Sequence, residues 1–125
     1  MPKKIFCAAL TVAAIYFAAV LIFVNAAAAE DVWICNDGRQ DYYVETESLV
    51  NRTQYRDDRT FSADVIIVRG LGAEKKNYVF RENDGLIYCN IDGGEDVYVT
   101  RDTPEEKIWH FGLKHLGLDY EVRYD

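Results

Sequence analysis

The chain is short of the residues that most chemistry needs. Its 125 residues include two histidines, two serines, two prolines and one methionine. His110 and His115 are five apart. On a helix that spacing turns the second ring about 140° from the first, whereas side chains three or four apart share a face. They make no metal pair. Neither Ser48 nor Ser62 stands in a G-x-S-x-G turn, and no glycine-rich phosphate loop is present. The acidic turn at 92–96 has oxygen ligands without the spacing of a calcium loop. We therefore expect no catalytic residues, no metal and no cofactor, and read the protein as a non-enzyme. Basic residues are the other shortage. Fourteen Lys and Arg face 21 Asp and Glu, a net charge of −7. This balance argues against nucleic acid and anionic lipid as direct partners; it either maintains solubility or suits a basic protein partner.

What is present starts with a leader. Lys3 and Lys4 precede an uncharged stretch, 5–24, and then Asn25 and four alanines. A basic start, an apolar run and a small-residue A-x-A site describe a secretory signal peptide over 1–29, cut before Glu30. The alternative is an uncleaved membrane anchor, since about 20 apolar residues span a bilayer. On the first reading the membrane matters only during export. Residues 30–125 then form a single small domain of 96 residues, secreted or periplasmic. Losing Lys3 and Lys4 takes the net charge from −7 to −9. Cys7 leaves with the leader, and Cys35 and Cys89 remain. An even count in a small exported domain implies a disulfide. Closing a loop of about 55 residues, it would contribute on the order of 4 kcal/mol. Strand alternation sets Cys35 with Trp33 and Cys89 with Ile87 and Ile91, which puts the bridge in the core beside Trp33.

The rest is rich in strand signals. Short apolar or alternating runs occur at 31–35, 41–45, 60–70, 77–82, 86–91 and 97–100, punctuated by Asn36-Asp37-Gly38, Gly70-Leu71-Gly72 and Asn83-Asp84-Gly85. Residues 46–50 can form one helical turn, 51–59 an exposed polar loop, and 118–125 an edge strand through Tyr120, Val122 and Tyr124. Four consecutive apolar residues at 65–68 predict a central strand. Thr103-Pro104-Glu105-Glu106 opens a helix running to His115, with a capping residue, a proline at the first position and early acids. Gly112 inside it costs about 1 kcal/mol against alanine, a cost that close packing on the sheet explains. The expected fold class is α+β, a mostly antiparallel sheet of five to seven strands with this helix on one face.

Tyrosine is abundant: nine in all, eight of them after the leader. Most suit half-buried strands. The alternative to packing for a subset is a docking surface on an open sheet face, and Tyr42, Tyr43, Tyr55 and Arg56 are its candidate members. Arg52 and Arg59 either join that surface or are solvated in the loop.

Trp33, the run Tyr42-Tyr43-Val44-Glu45-Thr46-Glu47-Ser48-Leu49 and the strand from Phe61 to Val68 stand in an order that resembles the small exported domains of bacterial surface-adhesin protein E, over residues 32–100. That resemblance implies an antiparallel sheet with a helix, displayed outside the cytoplasm, in a family whose members bind host matrix and plasma proteins. It transfers no binding residue. Trp33-Ile34-Cys35-Asn36-Asp37-Gly38 is also similar to the aromatic-x-Cys-x-x-Gly entry of periplasmic C-type lysozyme inhibitors, which implies a basic lysozyme as partner. The functional expectation is a cell-envelope or extracellular binding or structural module. Its alternatives are the lysozyme inhibitor and a membrane-anchored envelope protein.

Overall fold

The computed structural model describes residues 30–122. The leader at 1–29 and Tyr124 lie outside the described residues. Seven strands, β1 (Asp31–Asn36), β2 (Asp41–Glu45), β3 (Val50–Asn51), β4 (Thr60–Arg69), β5 (Gly72–Asn83), β6 (Leu86–Ile91) and β7 (Asp96–Tyr98), precede helix α1 (Pro104–His115). They form one sheet in the order β1-β2-β4-β5-β6-β7, and β3 also pairs with β4. Every pairing is antiparallel. The fold is thus α+β, a meander with the helix on one face.

Local chemistry explains the turns. Asp84 and Gly85 both have positive φ, 52° and 81°, as a two-residue hairpin of the I′ type requires. β4 is central, between β2 and β5. β5 begins at Gly72, five residues before the apolar pattern starts at Asn77. Glu74, Lys75 and Lys76 hide it in the sequence, but pairing with Ile67, Ile66 and Val65 makes them strand.

The core lies between the sheet and α1. Val44, Phe61, Ala63, Val65, Phe80 and Ile108 are fully buried. Phe61 stacks on Phe80 and on Trp109, at centroid distances of 5.1 and 5.5 Å. A Cβ on Gly112 would overlap the Phe61 ring, so the glycine lets α1 approach β4. Thr103 caps the helix, its Oγ1 accepting the Glu106 N–H at 3.2 Å.

A buried ion pair closes one side of this core. Arg59 and Glu82 are 9 % and 2 % exposed. The guanidinium donates from Nε and Nη2 to the two Glu82 oxygens, both at 2.8 Å. Its Nη1 donates to the carbonyls of Leu118 and Tyr120 at 2.8 and 3.1 Å. Those contacts correct two expectations. Arg59 is neither solvated nor part of a surface. Residues 118–122 are no edge strand, because Arg59 and not a neighbouring strand takes their carbonyls.

The disulfide is also corrected. Cys35 and Cys89 are both free, buried thiols. β1 and β6 have β2, β4 and β5 between them. Four strand spacings amount to about 19 Å along the sheet, whereas a bridge needs Cα atoms within about 7 Å. Nor is Trp33 beside Cys35 in the core. Trp33 pairs with Tyr43 and Cys35 with Tyr42, so Ile34 is the extra residue of a β-bulge. The bulge sends Cys35 to the helix side and Trp33 to the opposite side.

Candidate functional site

The bulge makes the open face of the sheet the candidate site. Across it, register sets Trp33 beside Tyr43, Tyr43 beside Ile66, and Ile66 beside Lys75. Trp33 is 54 % exposed, yet held. Its indole Nε1 donates to Asp41 Oδ1 at 3.0 Å, and Asn36 Nδ2 donates to the same oxygen at 2.9 Å. These two donors, the indole first, hold the Asp41 carboxyl below its ordinary range. Carboxylates surround the row. Asp31 lies opposite Glu45, and Asp64 opposite Asn77. Lys75 is the cation of the row, 3.1 Å from Glu45. Glu45 pushes its ammonium up.

The far end of this face carries a second aromatic group. The Arg81 guanidinium lies 5.4 Å from the Tyr88 centroid, and Tyr88 is 5.6 Å from Tyr98. Arg81 Nη2 donates to Asp96 Oδ2 at 2.9 Å. That bond first, then Asn90, holds the Asp96 carboxyl low.

The four surface candidates from the sequence do not share one face. Tyr42 is 6 % exposed on the helix side. Its hydroxyl donates to Asp37 Oδ2 at 3.0 Å and accepts from Gln40 Nε2 at 2.8 Å, and burial raises its pKa. Tyr43, next in the strand, is half-buried on the open face. Tyr55 projects from the turn before β4, 69 % exposed. Arg56 stacks over the Tyr120 ring at 3.9 Å, and the Tyr120 hydroxyl donates to the Arg56 carbonyl at 2.9 Å. Only Tyr43 belongs to the Trp33 row. The Tyr42 misplacement follows from strand alternation, since adjacent residues must point apart. The anchor that sequence reading assigned to the core is Trp33. Its one legible signal is a hydrogen-bonding acid eight residues away, across a turn.

The thiols, the histidines and the acidic turn serve structure. Burial raises both thiols, Cys89 to about 12, which leaves them poor nucleophiles. His110 lies 3.9 Å from Glu106, and His115 stacks on Phe111 at 5.8 Å. Asp92 of the acidic turn accepts the Asn77 N–H at 2.7 Å. Among the described residues no three His, Cys, Asp or Glu side chains are grouped to hold a metal. No family model, curated protein or solved structure matches this chain.

Proposed function

We propose that the protein is an exported binding module whose open sheet face docks a basic protein. The observation that carries this reading is Trp33, an exposed indole fixed in one orientation by Asp41. Aromatic anchors dominate interface energetics, and an anchor already ordered loses less entropy on binding. Carboxylates around the row supply the complementary charge for lysine and arginine, and a cation over the indole adds its own attraction. The leader at 1–29 supports export, and the resemblance to surface-adhesin protein E supports an extracellular display. The lysozyme inhibitor is the second reading, favoured by the same acidic rim.

The test is a titration of a basic lysozyme and a basic matrix protein against the wild type and Trp33→Ala. The expected result is salt-sensitive binding that weakens about tenfold or more in the variant, the loss of a central aromatic anchor. Binding to lysozyme that also slows cell-wall clearing selects the inhibitor reading. Absence of binding to either protein, or binding unchanged in Trp33→Ala, overturns the proposal.

A further inference from the structure

The turn before β4 and the β5–β6 hairpin enclose a second site, remote from Trp33. It is an open cleft of about 370 Å³, at the small end of the range for ligand sites, about 300–1,000 Å³. Its lining holds Arg52, Gln54, Asp58, Arg81 and Asn83, with the exposed Tyr55 among them. These polar side chains all end in planar groups. The charges of the lining are balanced: Arg81 is paired with Asp96 and Glu82 with Arg59, which leaves Arg52 against Asp58. A simple anion or cation gains little from such a lining.

The cleft offers hydrogen-bonding groups in excess of its internal needs. Arg52 donates from Nε to Ser62 Oγ at 2.9 Å. That bond fixes the side chain on a buried serine and leaves its two terminal nitrogens without a protein partner among the described residues. Arg81 is held by Asp96 and by the Tyr88 ring, through one of its three nitrogens and its face. The Gln54 and Asn83 amides also have no protein partner among the described residues. Each presents a donor and an acceptor. A hydroxyl is the ligand group that both donates and accepts, and a vicinal pair of hydroxyls matches a planar two-toothed side chain. The exposed ring of Tyr55 supplies an apolar face with a polar tip, the complement of the C–H face of a sugar ring.

We propose that this cleft binds a neutral saccharide of one or two pyranose rings. The proposal does not depend on the Trp33 dock. The experiment is saturation-transfer NMR on the protein with galactose, mannose, N-acetylglucosamine and cellobiose, and with acetate and phosphate as charged controls. At least one sugar receives saturation from the protein, and Tyr55→Ala and Arg52→Gln each weaken that binding about tenfold. Trp33→Ala leaves it unchanged. Tyr55 is a surface side chain, and circular dichroism checks that its variant is folded. Three results overturn the proposal: no transfer to any of the four sugars, transfer undiminished in both cleft variants, or displacement of the sugar by acetate or phosphate at equal concentration.

Discussion

The helix-covered face of the sheet and its open face are made by the same strands, yet they use aromatic residues in opposite ways. On the covered side Phe61, Phe80 and Trp109 stack on one another and exclude water. On the open side Trp33 and Tyr98 remain about half exposed, and Trp33 is held in place by a hydrogen bond instead of by packing. Aromatic count alone therefore says little about where a protein is stabilised and where it binds. Partners decide it: apolar neighbours on one face, carboxylates and arginines on the other. The ion pair buried in the covered face is Arg59 with Glu82, and it is fully engaged. Breaking that pair is the largest expected effect. Glu82→Ala leaves the Arg59 guanidinium buried without its counter-charge, which costs about 3–5 kcal/mol. Urea denaturation measures it, against a loss of about 1 kcal/mol or less for Trp33→Ala. Equal losses would erase the distinction between the faces.

The next effect sharpens the covered face. Gly112→Ala gains about 1 kcal/mol of helix propensity. It also forces a methyl group into the Phe61 ring, and overpacking costs about 1–3 kcal/mol. Phe61 is stacked against both Phe80 and Trp109 and has little room to yield. The expected net result is a loss of up to about 2 kcal/mol by denaturation, the overpacking cost exceeding the propensity gain. A gain in stability would mean that α1 does not rest on Phe61.

Most of this architecture is legible in the sequence because it is periodic. Alternation from Phe61 to Ile67 locates the central strand, Asp84-Gly85 locates a hairpin, and Thr103-Pro104 locates the start of the helix. Alternation also sets Glu82 on the face of Tyr78 and Phe80, and a carboxylate there demands a partner. The sequence does not name that partner, because Arg59 is 23 residues away in a run that otherwise reads as polar loop. The site is less legible. One bulge at Ile34 moves Trp33 across the sheet, and a bulge depends on pairing with β2, which no local pattern in β1 records. The expected sulfur bridge fails for another long-range reason: the sheet order sets three strands between β1 and β6. The saccharide cleft joins residues from 52 to 83, a proximity created by the meander and invisible before it folds.

The smallest effect tests whether the open-face anchor is truly fixed. The indole N–H and Asn36 hold the folded Asp41 carboxyl below its ordinary value, about 3.9 in an unfolded chain. A depressed acid contributes stability that is present above its unfolded pKa and lost as pH falls through the folded one. The carboxylate is solvent-exposed, so the change in stability is small, and the spectroscopic signal is the useful readout. With Trp109→Phe removing the only other tryptophan, emission reports Trp33 alone. Emission is expected to titrate in acid with a midpoint below that of a free aspartate. Asp41→Asn should abolish the titration, because an amide oxygen accepts the indole N–H at every pH. A midpoint at or above the free-aspartate value, or a titration that survives Asp41→Asn, would show an indole that samples many orientations. An anchor of that kind would lose on ordering much of what it gains on contact, and the open face would then resemble any half-exposed sheet surface.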